Sequence, residues 1–202
     1  MDKTVPAPAA VLLDFIGQTE APRGYDTIFG NNQGKLPKPL TTMTVDEVIA
    51  AGPTWTRSFG SSAAGRYQFM RATLQDLKKE LGLRGIQVLD ANLQDRLGYH
   101  LLRRRGCDDF VAGKLSATAF GKALAQEWAS FPVLANTQGA HRALTRGQSY
   151  YAGDGLNKAL VKPEAVETIL KKALAAVNDP APPAPAHPAI CPTCGQPWSS
   201  AA

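Results

Sequence analysis

Cysteine is scarce in this sequence of 202 residues, which contains only Cys107, Cys191 and Cys194. An odd and sparse set of cysteines is not a disulfide framework, and it fits synthesis in a reducing compartment. Long hydrophobic runs are absent too, since no stretch approaches the roughly 20 apolar residues of a membrane span. Lys3 is the single basic residue before the first, short apolar stretch. We therefore expect no membrane span and no cleaved signal peptide.

Several motifs of cofactor chemistry are also absent. The sequence has neither a Gly-rich phosphate loop nor a G-x-S-x-G nucleophile elbow. Its three histidines, His100, His141 and His187, lie outside any H-E-x-x-H spacing. We therefore expect no cofactor, and no metal in the main body of the protein.

The net charge indicates which classes of binding partner are favoured but does not identify one of them. The formal net charge of +5 favours anionic partners such as nucleic acid, an acidic membrane or an anionic wall polymer. No Lys/Arg-rich segment is interleaved with aromatic residues as in single-strand binders, so we expect no nucleic-acid partner. The densest basic cluster, residues 101–106, is interpreted as the cationic last turn of a helix.

A change in composition near residue 179 divides the chain. Residues 179–202 hold 7 of the 15 prolines and no Lys or Arg. Alternating Pro and Ala favours an extended, semi-rigid linker. The sequence therefore predicts a folded domain over residues 1–179, followed at 180–202 by a Pro-rich linker and a Cys-x-x-Cys tail.

The main body has the apolar periodicity of a helical protein. Capping residues such as Thr44, Asp90 and Ser116 precede apolar stripes, and Pro163 occupies a first-turn position. Residues 24–42, rich in Gly, Asn and Pro, predict a small β-hairpin or an ordered loop. The predicted class is α+β, a mostly helical body with one small β-hairpin or loop flap. The predicted helices span residues 9–19, 44–52, 70–82, 90–106, 116–132 and 162–177.

Glu20 directly follows the apolar face of the first predicted helix and precedes Ala-Pro. A carboxylate at a helix C-terminus opposes the helix dipole, so its position asks for a reason. One reason is general acid chemistry, because apolar surroundings keep a carboxyl group protonated. The other interpretation is an ordinary solvated residue, and this stretch by itself favours it.

A second segment, residues 58–70, combines small residues with Arg66, Tyr67 and Gln68. Gly65 would let the backbone approach a ligand closely. A planar cation, a phenol and an amide can hydrogen-bond sugar hydroxyl and acetamido groups. The alternative is a helix-entry loop with a satisfied Arg and a packed Tyr.

Taken in order, five motifs resemble the lysozyme-like endolysins of lambda-type bacteriophages, which are soluble lytic transglycosylases. They are LLDFIGQTE at 12–20, GYD at 24–26, AGRYQ at 64–68, QD at 94–95 with RG at 105–106, and WASFP at 128–132. The resemblance weakens over 133–178 and does not cover the tail.

The resemblance implies a lysozyme-like fold and cleavage of peptidoglycan between N-acetylmuramic acid and N-acetylglucosamine. It places the catalytic glutamate on Glu20 and implies a 1,6-anhydromuramoyl product. A protein of this kind is made in the host cytoplasm and acts in the periplasm or cell wall, in lysis or as part of a virion. The residues expected to bind substrate are Tyr25, Arg66, Tyr67, Gln68 and Ser130. Tyr67 and Gln68 are alternatively expected to orient Glu20, and Arg66 to brace the cleft by pairing with a buried acid.

Two other functions stay open at this stage. A hydrolytic muramidase of the same fold needs a second carboxylate, for which Asp26 is the candidate, although a loop-bracing role for Asp26 is preferred. A non-catalytic wall-binding or virion protein is the second alternative. Asp95, inside a predicted helix, is interpreted as either part of the site or a surface charge.

The tail carries its own candidate site. Cys191 and Cys194 form a Cys-x-x-Cys pair to which His187 could add a third ligand. A partial metal or disulfide site and a tail without metal are both consistent with this pattern. Trp198 suggests docking to a partner, such as a phage tail or virion protein.

Overall fold

Seven α-helices and one short antiparallel sheet make up the described part of the computed structural model, which covers residues 1–177. The mostly helical architecture with a small sheet confirms the predicted α+β, lysozyme-like class. The predicted linker and tail, with Cys191, Cys194 and His187, lie outside the described residues, so their roles stay predictions. The helices are α1 Ala7–Glu20, α2 Val45–Phe59, α3 Arg71–Glu80, α4 Ala91–Arg104, α5 Cys107–Val111, α6 Ala117–Glu127 and α7 Pro163–Ala175.

The predicted capping residues lie at the N-termini of the helices. Thr44 and Glu47 form a reciprocal capping box at α2, in which each side chain accepts a hydrogen bond from the other residue's backbone N–H. The Asp90 side chain accepts from Leu93 N at 2.7 Å at the start of α4, and Ser116 caps α6. These side chains satisfy backbone donors that have no partner inside the helix.

One contiguous core joins the helices. α1 packs mainly against α7 and α4, and it buries Leu12, Leu13 and Ile16 there. Leu97 on α4 and Leu170 on α7 are each 1% exposed in the same cluster. Because α1 lies between two helices, its last residue is held at a fixed place on the surface of this core.

The small sheet does not lie where the hairpin was expected. Two antiparallel strands, β1 Thr137–Gln138 and β2 Ala143–Leu144, form it. Residues 24–42 instead contain two 3-10 segments, at Phe29–Lys35 and Leu40–Thr42. Gly30 and Asn31 both have positive φ, 67° and 59°, which turns the chain repeatedly. The β-type pairing of this segment is an isolated bridge between Ile28 and Ala64. The ordered-loop alternative is therefore correct for this segment.

Helix α2 continues beyond its predicted end at Gly52 and passes through Pro53 to Phe59. A proline inside a helix removes the N–H that would donate to the carbonyl four residues earlier. Here that carbonyl, of Ile49, accepts a hydrogen bond from Arg71 Nε at 3.1 Å. Arg71 packs over Gly52, where a Cβ would lie 2.7 Å from Arg71 Cδ. A side chain from α3 thus replaces the missing backbone donor.

The ends of α6 and α4 also differ from the predicted ones. α6 ends at Glu127, because Trp128 turns to an extended conformation before the WASFP segment. α4 ends at Arg104, with the predicted basic last turn, and Gly106 at φ 90° leads into the short α5, which was not predicted. A glycine adopts this left-handed conformation at little cost.

Candidate active site

Glu20 is the last residue of α1 and is half-buried. The hydroxyl of Ser130, in the turn that follows α6, donates a hydrogen bond to Oε1 of Glu20. Burial raises the pKa of the Glu20 carboxyl group above its ordinary value, and the hydrogen bond from Ser130 offsets part of that rise. The structure thus brings together two of the predicted site residues from distant parts of the sequence.

Aromatic packing explains how Ser130 reaches α1. The ring of Phe131 meets that of Phe15, just over one turn before Glu20 on α1, edge to face, with 5.7 Å between centroids. Leu160 N donates to Ser130 O at 2.7 Å, and Ser149 Oγ donates to Ala129 O at 2.7 Å. The turn that carries Ser130 is therefore held from three sides.

The loop that follows Glu20 folds back in short turns. The N–H of Gly24 donates to Ala21 O, and that of Thr27 donates to Gly24 O. Asp26 accepts a hydrogen bond from Thr41 N at 2.8 Å, as the loop-bracing interpretation predicted. Tyr25, which lies between these turns, is half-buried.

Arg66 lies across α1 and the Tyr25 ring. Its Nη2 is 2.7 Å from Asp14 Oδ1, and its guanidinium carbon is 5.1 Å from the Tyr25 ring centroid. Gly17 makes this possible, because a Cβ there would collide with the Arg66 side chain. The expectation that Arg66 pairs with a buried acid is wrong, because the Asp14 side chain is 61% exposed.

Tyr67 was expected to contact substrate or to orient Glu20, and the structure corrects both expectations. It is 1% exposed, which leaves no surface for a sugar, and its hydroxyl donates to Asp95 Oδ1 at 2.6 Å. Trp128 Nε1 donates to Tyr67 O at 3.2 Å. Burial and the neighbouring Asp95 carboxylate raise the pKa of Tyr67. Tyr67 is therefore a core residue beneath the site.

Gln68 is half-buried and has a left-handed backbone conformation, with φ 50°. This conformation is uncommon for a residue other than glycine. Its Nε2 donates to Gly65 O at 2.8 Å, closing the turn at residues 64–69. Gln68 therefore shapes this turn while its side chain keeps some solvent exposure.

The QD motif is buried rather than exposed. Gln94 and Asp95 are both 0% exposed and bond to the Tyr25 loop and to the turn at 64–69. The surface interpretation of Asp95 is therefore wrong. A signal for burial was present in the sequence, because the positions three and seven residues after Gln94 are leucines on the same helix face.

Metal ligands are not clustered in the described part of the chain. Within residues 1–177, no group of three or more His, Cys, Asp or Glu side chains is placed to hold a metal ion. Nor is any helix in this range long and apolar enough to cross a membrane.

A family model described as Endolysin matches residues 15–156, which include Glu20, the turn at 64–69 and Ser130. No curated protein and no solved structure gives a significant match. Because the family match covers more than half of the chain, the protein belongs to the Endolysin family of peptidoglycan-degrading enzymes.

Proposed function

We propose that this endolysin is a lytic transglycosylase, which cleaves the β-1,4 bond between N-acetylmuramic acid and N-acetylglucosamine without consuming water. The observation that carries the proposal is Glu20, a half-buried carboxyl group at the end of α1 with a raised pKa and a hydrogen bond from Ser130. Glu20 acts first as the acid and then as the base.

The first step needs a protonated carboxyl group. Burial disfavours the charged form of Glu20, so a larger fraction carries the proton at a given pH. Glu20 gives this proton to the glycosidic oxygen as the bond from that oxygen to muramoyl C1 breaks. The substrate's own N-acetyl group stabilises the positive charge that develops at C1.

The second step returns the proton. The ionised Glu20 takes the proton of the muramoyl C6 hydroxyl while O6 forms a bond to C1, which closes the 1,6-anhydro ring. The proton gained equals the proton given, so the enzyme is restored. Between the two steps the Ser130 hydroxyl donates to the ionised carboxylate and so stabilises it. The nucleophile is part of the substrate, and its proximity supplies part of the rate.

The surroundings of Glu20 favour this route over hydrolysis. Glycoside hydrolases usually place a second carboxylate across the scissile bond. Among the described residues, the side-chain hydrogen bond to the Glu20 carboxyl group comes from the Ser130 hydroxyl and not from an acid. Asp26 is engaged with the backbone of Thr41.

Two matched amide variants test the assignment. Glu20→Gln removes the proton donor, and we expect lysis of permeabilised Gram-negative cells to slow by about 10² to 10⁴-fold. Asp26→Asn keeps an oxygen that can accept from Thr41 N, so we expect its rate to stay close to that of the parent. Equal rates of lysis for Glu20→Gln and the parent would rule out Glu20 as the acid, whereas no lysis by the parent would support a non-catalytic wall-binding protein.

The released muropeptides distinguish the two chemistries. Mass spectrometry is expected to find 1,6-anhydromuramoyl ends from the parent and from Asp26→Asn. Predominantly reducing ends, together with loss of activity in Asp26→Asn, would identify a hydrolytic muramidase.

A phage origin fits the family, and we propose action at the cell wall during host lysis or during phage entry. Immunoblotting of purified particles separates these routes, since only an entry enzyme is retained in the virion.

A further inference from the structure

Two neighbouring residues of α4, Gln94 and Asp95, each bond to both segments that carry expected substrate-binding residues. One segment is the loop of Tyr25, and the other is the turn at 64–69. Both side chains are fully buried, so neither can contact substrate directly.

Gln94 joins the two segments through its amide group. Its Oε1 accepts from Arg66 N at 2.9 Å, and its Nε2 donates to Tyr25 O at 3.1 Å and to Leu89 O at 3.0 Å. The amide oxygen approaches so closely that a Cβ at Gly65 would collide with it. Gly65 also has φ 79°, a conformation that glycine adopts without strain.

Asp95 joins the same segments through side-chain hydroxyls. Its Oδ1 accepts from Tyr25 at 2.9 Å and from Tyr67 at 2.6 Å. Its Oδ2 accepts from Asp2 N at 2.6 Å. Tyr25 is consequently held at two points, its carbonyl by Gln94 and its hydroxyl by Asp95.

Both segments also touch α1 near the acid. The Tyr25 loop leaves α1 directly after Glu20, and Arg66 packs against Gly17, three residues before it. A shift of either segment therefore changes the position of Tyr25, Arg66 or Gln68 relative to the carboxyl group.

We propose that Gln94 is a positioning residue, whose amide sets the distance between the Tyr25 loop and the turn at 64–69 and so aligns the glycan strand with Glu20. The proposal rests on the assignment of Glu20 as the acid. A single glutamine side chain provides both the acceptor for one segment and the donor for the other.

Gln94→Met tests the proposal, since methionine has similar length and volume but offers neither strong donor nor acceptor. The assay measures cutting of soluble glycan strands of known concentration and counts all new chain ends, whatever their type. We expect the apparent KM to rise about tenfold, because misplaced binding groups weaken strand binding. The alkaline limb of the pH profile is expected to keep its position, because the Ser130–Glu20 hydrogen bond is not altered.

Leu102→Ala is the matched control, since it removes a buried side chain further along the same helix. It is expected to lower stability without changing KM. Gln94→Glu keeps an acceptor for Arg66 N and loses amide donors, so an intermediate KM is expected. If Gln94→Met does not fold, Gln94→Glu against Leu102→Ala becomes the deciding comparison.

An unchanged KM in the folded Gln94 variants, or an equal rise in Leu102→Ala, would overturn the positioning role. Reducing ends from the parent would overturn the transglycosylase chemistry alone, because the assay counts both kinds of end. Full activity in Glu20→Gln would remove the acid on which both proposals depend.

Discussion

The hydroxyl of Ser130 donates a hydrogen bond to the Glu20 carboxylate across 110 positions of sequence. Two elements that are remote in the chain, the end of α1 and the turn after α6, thus meet at the proposed acid, Glu20. This relationship links the chemistry of Glu20 to a residue that can be changed without touching the acid.

Replacing Ser130 with alanine is expected to move the pH profile. The Ser130 hydroxyl favours the charged form of Glu20, so its loss raises the pKa of Glu20 further. Since Glu20 must be protonated for the first step, the alkaline limb of the rate profile should move to higher pH. Losing one hydrogen bond of about 1 kcal/mol should also lower kcat by roughly fivefold. The measurement is kcat against pH.

Ser149→Ala provides the control, because the Ser149 hydroxyl donates to Ala129 O in the same region and not to Glu20. Its alkaline limb should coincide with that of the parent. Coincident limbs for Ser130→Ala and the parent would show that Ser130 does not tune the acid.

Glu20→Gln is expected to stabilise the fold at alkaline pH. The raised pKa of Glu20 means that the folded state binds its proton more tightly than the unfolded state. Stability from this group is therefore lost as pH rises from the ordinary carboxyl pKa through the raised one. At pH 8 the glutamine variant should have a higher Tm than the parent, and this gain should shrink toward pH 4.

Glu47→Gln should have the opposite effect on thermal stability. Lys38 and the Thr44 backbone lower the pKa of Glu47, so its charged form stabilises the folded state above the ordinary carboxyl pKa. The variant should have a lower Tm than the parent at pH 8 and a smaller deficit at pH 4. Thermal unfolding of both variants on the same pH series checks the two signs, and a common sign would contradict the argument.

Arg71 and Pro53 should be energetically coupled although they need not touch. Arg71→Met leaves the Ile49 carbonyl without its donor, which should cost about 1–3 kcal/mol in the free energy of unfolding. Pro53→Ala restores a backbone N–H that can donate to the same carbonyl. Arg71→Met should therefore cost less free energy of unfolding in the Pro53→Ala background than in the parent.

A double-mutant cycle by urea unfolding measures this coupling. If the carbonyl of Ile49 is not involved, Arg71→Met should have the same cost in the parent as in the Pro53→Ala background. That result would contradict the role given to Arg71.

Asp95→Asn should make the Tyr25 phenol more acidic. Burial, together with the hydrogen bond to Asp95 and its negative charge, raises the pKa of Tyr25 to about 12. Removing the charge should lower this pKa toward its ordinary value of about 10. Ultraviolet titration of tyrosinate measures the shift when each protein is compared with its own Tyr25→Phe variant, and Asp109→Asn, at an exposed position in α5, should leave the titration unchanged. An unchanged titration in Asp95→Asn would contradict the contact.

The helices and their caps could be predicted because their signals are local. Thr44 with Glu47, Asp90 and Ser116 stand directly before apolar stripes, and each caps the helix it was expected to cap. The continuation of α2 through Pro53 could not be predicted, because the compensating donor comes from Arg71 on another helix.

The candidate site likewise combines features with local sequence signals and features that depend on tertiary packing. The position of Glu20 at a helix end is a local sequence signal. Its contact with Ser130 instead depends on tertiary packing of Phe131 on Phe15. Tyr67 was misassigned because its neighbours in sequence, Arg66 and Gln68, reach the surface while its own ring points into the core. A motif identifies which residues occur together but does not show which face of the turn each one occupies.

Because Glu20 and Ser130 are 110 positions apart, the ribosome synthesises them at different times. Glu20 leaves the ribosome long before Ser130, and α7, which packs against α1, emerges later still. We expect a chain that ends before residue 130 to lack the contacts that Ser130 and α7 make with α1. The environment of Glu20 is therefore complete only when almost the whole domain has been made.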